Sequence, residues 1–395
     1  MLGTSRLTNP LRPAASRHAL VLAAVAMSLA AGTLPARAQS QAPSDTTQAL
    51  VKREFVTTRH TSISAYPYAY YTPETELAFG AGGIVTFYTS EDRILRPSKS
   101  TVSAYYTTKK QYKFSLSPQL YFAQNTLFIS SDLSYGYFVD KFWGLGGGTP
   151  ETGDEGYTSH AFAFNANVQV RPLKHLLGNT RTGLVFDLKN THISDKEQNV
   201  FLLADSVAGS NGGIYSGLGV NVVWDSRDDI FWPTKGVFSQ GKVVFYGSAL
   251  GSDFDYGKGE VDIRTYRALT AEKVLAFQIY LNSVGGGAPP FYTYPALGGQ
   301  RTMRGYYEGR YRDKKYFATQ AEYRSHLWKK IGYVAFIGVG NVTDRWGDQQ
   351  LTDLKTSLGG GLRYRFSKTE KVNLRVDMGF GRSTNGVYFG LEEAF

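Results

Sequence analysis

The stretch that decides the fold is Gly298 to Arg324, GGQRTMRGYYEGRYRDKKYFATQAEYR. Its first part is dense in glycine and in cationic or aromatic residues, and carries neither helical nor strand periodicity. From Lys314 it settles into strand-like alternation. Arg301, Arg304, Arg310 and Arg312 crowd into this irregular segment, and guanidiniums held close together repel unless carboxylates or water receive them. Glu308 and Asp313 lie within the same loop, whereas Glu322 lies on the strand that follows. Of the three acids, only Glu322 is expected on a rigid element.

The 395 residues carry a net charge of +10, 14% aromatic residues, 43 glycines and no cysteine. Residues 1–38 read as a cleaved export signal: Arg6, Arg12 and Arg17 form a basic start, Ala19 to Leu34 is apolar, and Ala36-Arg37-Ala38 has the cleavage form. An exported chain without cysteine has no disulfide framework. After residue 38 no run approaches the ~20 apolar residues of a spanning helix. The positive charge is scattered along alternating strands rather than gathered on one face, so nucleic acid is not an expected partner. A soluble periplasmic protein or a transmembrane barrel remains.

Residues 39–60 are polar, with Pro43, Ser44, Asp45, Thr46 and Thr47, and read as a flexible periplasmic leader. The barrel is expected over 61–395. Eight strand-like segments fall at 63–71, 76–89, 99–108, 111–124, 126–139, 159–173, 180–193 and 213–226. Eight more fall at 236–248, 254–268, 272–285, 315–327, 331–342, 354–366, 370–382 and 386–395. Most have the length a tilted strand needs to cross a bilayer. The segment 370–382 shows the two-residue period best, with Val372, Leu374, Val376, Met378 and Phe380 on one face and Asn373, Arg375, Asp377 and Gly379 on the other. A soluble sandwich could alternate likewise. The connections separate the two: the long ones (140–158, 194–212, 286–314, 343–353) leave odd strands, while many even-to-odd connections are tight. An all-β, 16-stranded antiparallel transmembrane barrel is the expected fold.

Arg304-Gly305-Tyr306 in a long loop, followed by a strand bearing Glu322-Tyr323-Arg324, resembles the sixth extracellular loop and twelfth strand of the BamA/TamA superfamily, the bacterial surface antigens of the outer membrane. Tyr71-Thr72-Pro73-Glu74-Thr75 is similar to that family's opening. Asp225-Ser226-Arg227-Asp228 with Pro233 and Gly236 is similar to its turn between strands eight and nine. Gly390 and Phe395 resemble the signal read by the barrel assembly machinery, although Glu393 stands where that signal has a hydrophobic residue. The resemblance implies that the loop folds back into the lumen and that Arg304 meets an acid on strand twelve, Glu322. It also implies a second acid on strand thirteen, where this chain has Gly338; Gly338 and Gly340 then form a hollow, and one partner is expected to be missing. Family members normally carry periplasmic domains before the barrel, and this chain reads as a short form without them.

The resemblance further implies a weak seam between first and last strands, here marked by Pro67, which cannot donate to a ladder, by Gly390, and by Phe395. The expected role is outer-membrane biogenesis, the insertion or translocation of proteins or lipids, with outer-membrane lipids and a separate periplasmic protein as partners. A pore for small solutes and a structural surface antigen are the alternatives.

Catalysis is not expected. His160, His175 and His192 fall near loop or turn ends and His326 faces the side of Glu322, so no Ser–His pair lies on the lipid wall. Gly144-Leu145-Gly146-Gly147-Gly148 reads as loop backbone rather than a phosphate cradle, and no cofactor is implied. Asp140, Glu151, Asp154 and Glu155 form either a solvated acidic loop or a divalent-cation site. Tyr66, Tyr68, Tyr70, Tyr71, Phe231 and Trp232 read as interfacial girdles.

Overall fold

A computed structural model describes residues 61–395 except 93, 154, 172–177, 204–206, 230–231, 349, 366–372 and 392. The expected export signal and leader, together with His175, Asp154 and Phe231, lie outside the described residues. The first strands of the sheet are β1 (Ser62–Thr72), β2 (Glu76–Phe87), β3 (Ser98–Thr107), β4 (Tyr112–Phe122) and β5 (Leu127–Lys141). Next come β6 (Gly156–Val170), β7 (Thr180–Ser194), β8 (Gly212–Asp225), β9 (Gly236–Tyr246), β10 (Tyr256–Thr270) and β11 (Lys273–Gly285). Two short strands, β12 (Ala296–Leu297) and β13 (Tyr311–Arg312), lie inside the long connection and form a separate two-stranded sheet, with Arg312 also bridging Gly146. The sheet resumes with β14 (Lys315–Trp328), β15 (Ile331–Thr343), β16 (Lys355–Arg365), β17 (Asn373–Gly381) and β18 (Thr384–Leu391).

Sixteen strands therefore run as one antiparallel meander, each bonded to its neighbours in chain order. The last and first lie side by side, but among the described residues no ladder joins β18 to β1. The result is a nearly closed barrel with one unsealed seam, all-β as expected.

The two-residue period sorts the faces. On β8, Leu218, Val220, Val222 and Trp224 are exposed while Gly217, Asn221 and Val223 are buried. On β17, Leu374, Val376, Met378 and Phe380 are exposed while Asn373, Arg375 and Asp377 are buried. An apolar outer wall around a polar inner one is the reverse of a soluble sandwich. The tight connections use left-handed residues, such as Lys329 (φ +50°) between β14 and β15 and Ser383 (φ +57°) between β17 and β18. The four longest described connections (142–155, 195–211, 286–314 and 344–354) leave β5, β7, β11 and β15 and so share one end. There Phe142, Tyr157, Ile193, Leu202 and Phe291 form an apolar cluster that ties three of them together.

Two expectations change. Tyr66, Tyr68 and Tyr70 are not an outer girdle. Tyr68 pairs with Gly80 and Tyr70 with Ala78, which is fully buried, whereas the exposed residues are Ile63, Leu77 and Phe79. The tyrosines stack along the inner face (6.3 and 6.2 Å between successive rings), over glycines whose missing Cβ makes room for them. The final strand also stops at Leu391 rather than running to the end. Residues 393–395 leave the ladder and turn to the inner face, where Phe395 and Ala394 pack with Tyr266, Val274 and Ala276 of β10 and β11. Phe395 is therefore not a seam residue: burying its ring against these partners outweighs continuing a strand whose other edge is unpaired.

Candidate functional site: a loop seated on the inner wall

The connection between β11 and β14 is pinched by its own short ladder, Ala296 opposite Arg312 and Leu297 opposite Tyr311. Gly309 N–H donates to Leu297 O at 3.0 Å, and Gly299 N–H to Tyr306 O at 3.1 Å. Between these points the backbone turns too sharply for ordinary residues. Gly305 has φ +109°, and a Cβ there would stand 2.7 Å from the carbonyl carbon of Phe380 and 2.8 Å from that of Gly379. The loop backbone rests directly on β17.

The tip has an apolar and a charged side. Leu297, Met303 and Tyr306 pack with Tyr316, Ala318 and Val342. The hollow at Gly338 and Gly340 receives Met303, whose sulfur lies 3.6 and 3.2 Å from where their Cβ atoms would be. On the charged side Arg304 is fully buried. Its guanidinium donates from Nη2 to Glu322 Oε2 and from Nη1 to Asp377 Oδ2, each at 2.6 Å, and lies 3.5 Å above the centre of the Phe336 ring. Its carbonyl accepts from the Ser357 hydroxyl.

Arg304 thus has two carboxylates, although Gly338 supplies none. The second comes from β17, two strands beyond the position the resemblance indicates. Gly361 makes this possible: a Cβ there would stand 2.0 Å from Asp377 Oδ1, so only glycine leaves the carboxylate its place. The expectation that one acidic partner is missing is corrected accordingly.

The pair belongs to a larger buried network. Glu322 also accepts from Arg324 Nε at 2.8 Å, and Asp377 from Arg363 at 2.5 Å and Arg375 at 3.4 Å. Glu393 accepts from Arg363 at 2.7 Å and Asn373 at 2.9 Å, which gives this residue a place on the inner wall. Arg324 further donates to Phe395 O at 2.8 Å, and Arg375 to both oxygens of Gln300, at 3.0 and 3.1 Å. Buried arginines hold their charge only where carboxylates and carbonyls surround them. Sequence reasoning placed Asn373, Arg375 and Asp377 on one polar face but could not name the pairs.

The loop also reaches both sides of the seam. Gly305 N–H donates to the Tyr388 hydroxyl of β18 at 2.9 Å, and that hydroxyl donates to Tyr306 O at 3.3 Å. Glu308 N–H donates to Glu74 in the β1–β2 turn at 2.7 Å. Of the expected seam residues, Pro67 is on β1 opposite Ala81. Gly390 is on β18 opposite Arg375, where its missing side chain leaves room for the guanidinium. Acids at and beyond the end of β5 engage the same loop: Glu151 of the 142–155 connection binds Arg310 at 2.9 Å, and Asp140 of β5 binds Arg312 at 3.4 Å. Glu155 instead accepts backbone N–H groups of its own connection. Burial raises its carboxyl, but these hydrogen bonds prevail and leave it lowered. His326 lies against the Lys329 carbonyl (2.6 Å).

These features define a class: a sixteen-stranded barrel, open along one seam, with a long connection seated on its inner wall. The Omp85 superfamily domain matches residues 96–395, and the chain belongs to that superfamily. No curated protein matches. Among solved structures the chain is similar to BamA from Haemophilus ducreyi lacking POTRA domains 1–3, at 14% identity and a TM-score of 0.58, over 84% of this chain and 70% of that one. It is also similar to CdiB from Escherichia coli (10% identity, TM-score 0.55, 85% and 67%). For CdiB from Acinetobacter baumannii the figures are 13%, 0.50, 83% and 59%.

Proposed function

We propose that this chain is an outer-membrane barrel that inserts or translocates proteins or lipids through the gap between β1 and β18, without catalysing a reaction. The observation that carries the reading is that gap: among the described residues fifteen neighbouring pairs share a ladder and the sixteenth does not. Unpaired edges inside a bilayer are costly, so a barrel that keeps one has a place where it opens at little further cost. Arg304, held by Glu322 and Asp377, anchors the loop that fills the lumen. The end with short connections faces the periplasm, where a separate partner delivers clients and the assembly machinery inserts the barrel itself. Depletion followed by a census of outer-membrane proteins and lipids tests the role. Cysteines introduced across β1 and β18 test the route: locking them should stop activity while the barrel stays folded, and full activity in the locked protein would refute the seam.

A further inference from the structure

At the short-connection end of β6, β7 and β8 the inner wall carries a second basic group that the loop site does not use. Val170 pairs with Thr182, so Arg171 and Arg181 stand one step further along the same two strands, side by side. The outward residues here are Val168, Val170, Leu184, Val220 and Val222, all exposed; alternation puts both arginines on the inner face with Gln169 and Asn221, which are buried. Arg96, from the β2–β3 connection, completes a triad. Arg171 N–H donates to Thr126 O at 2.9 Å and Arg96 N–H to Asn125 Oδ1 at 2.8 Å, so the two arginines meet at the start of β5.

Like charges directly opposite on neighbouring strands destabilise a sheet, yet among the described residues no carboxylate pairs with any of the three. Asp225, the acid at the end of β8, forms two bonds of 2.9 Å with Arg227 and adds only a longer-range attraction to Arg181. Nε of Arg171 and Nε of Arg181 are buried without a hydrogen-bond partner, as are Gln169 Oε1 and both amide atoms of Asn221. Gln169, Gly183 and Asn221 form one row across β6, β7 and β8; a Cβ on Gly183 would meet Gln169 and Asn221 at 2.7 Å, so glycine lets these amides lie flat beside the arginines. Arg181 stands 5.7 Å from the Phe128 ring centre, which braces it. Buried donors left empty are costly unless a ligand fills them.

We propose that Arg171, Arg181 and Arg96, with Gln169 and Asn221, form a binding site for a phosphoryl group. A carboxylate offers one charge and two oxygens, whereas a phosphate offers nearly two charges and enough oxygens for forked donors from several arginines. Both free phosphate and a lipid phosphomonoester headgroup have this chemistry.

The test uses the full chain in detergent micelles, with thermal unfolding as readout and gel mobility as a check on folding. Inorganic phosphate should raise Tm beyond sodium chloride or acetate at matched ionic strength. Arg171→Gln/Arg181→Gln should weaken the apparent affinity at least tenfold. In phosphate-free buffer the same double variant should be more heat-stable than the parent, because the repulsion is gone; a merely structural pair would lose stability. Short-chain phosphatidic acid, with phosphatidylcholine as control, separates the sources: a response to the lipid alone assigns a headgroup, and a response to both with mutual competition assigns the phosphoryl group itself. Should the double variant fail to fold, Arg181→Lys, which keeps the charge and loses the fork, should still weaken phosphate. Equal effects of acetate and phosphate, or an unchanged phosphate response in the variants, would overturn the site.

Discussion

Arg304 and Asp377 lie 73 residues apart in the chain and 2.6 Å apart in the fold. With Glu322 on the other nitrogen at the same distance, the guanidinium bridges β14 and β17 through a loop that belongs to neither. Removing Arg304 takes one of the arginine partners from each of two buried carboxylates, and breaking a buried pair costs up to about 3–5 kcal/mol. Arg304→Ala should therefore unseat the loop and expose residues 298–310 to protease. Double-mutant cycles of Arg304→Ala with Glu322→Gln and with Asp377→Asn should both show strong coupling. A silent Asp377→Asn would return the anchor to Glu322 alone.

Supplying on strand thirteen the acid that the resemblance implies should not help. A Cβ on Gly338 would already touch Gln320 Cβ at 3.3 Å and Met303 Sδ at 3.6 Å, and both ends of Arg304 are occupied. Gly338→Asp should displace Met303 and lower Tm, at about 1–3 kcal/mol for overpacking. A rise in Tm would mean that the arginine still has capacity for a third carboxylate.

Gly305→Ala probes the seat itself. The left-handed backbone and the contact with β17 each oppose a side chain, and together they should cost about 3 kcal/mol or more. Loop proteolysis comparable with Arg304→Ala is expected, while the heat-resistant gel mobility of the barrel persists.

Tyr388 and Glu74 receive the loop on opposite sides of the seam. Tyr388→Phe leaves Gly305 N–H without its acceptor, an expected loss of about 1–3 kcal/mol. If the loop clasps the gap, Tyr388→Phe and Glu74→Gln should each increase amide exchange in β1 and β18 more than in β8 and β9. Uniform exchange across the barrel would argue that the loop and the seam are independent.

Glu308 gives the clasp a pH dependence. Glu308 as a residue is exposed, but withdrawal of its carboxyl from water, then the carboxylates of Glu74 and Asp140, push it up to about 7 from an ordinary 4.5. A raised carboxyl holds in the fold a proton that the unfolded chain has released, so the closed loop loses stability as pH rises from 4.5 to about 7, whereas below 4.5 both states hold the proton and the group contributes nothing. Loop protection should weaken as pH climbs through that window, and Glu308→Gln should flatten the profile. An unchanged slope in Glu308→Gln would assign it to another group.

Sixteen strands, their limits within a few residues and the end that carries the long connections were all legible in the chain, because alternation and turn chemistry are local. Val372 to Phe380 alternates against Asn373 to Gly379 whatever the rest of the molecule does. Arg304 and Glu322 could be named as partners because a motif ties them within one stretch. Local pattern left the faces of β1 undecided: Ala65, Pro67 and Ala69 alternate with Tyr66, Tyr68 and Tyr70, and apolar-outward reasoning sends the tyrosines to the wrong side. What settles them is the row of glycines on β2, which offers space only on the inner face.

By itself the sequence determined that this chain makes a barrel with a polar inner wall, since each strand carries that information in its own two-residue period. Only the tertiary structure decided that Asp377 stands in for the acid absent at Gly338, that Phe395 abandons the last strand for β10 and β11, and that Arg171 faces Arg181. Curving a sheet nearly closed brings together residues far apart in the chain, and which of them touch depends on the register of every intervening strand and on where glycines leave room. That sum of small shifts is a property of the closed sheet, and no single segment contains it.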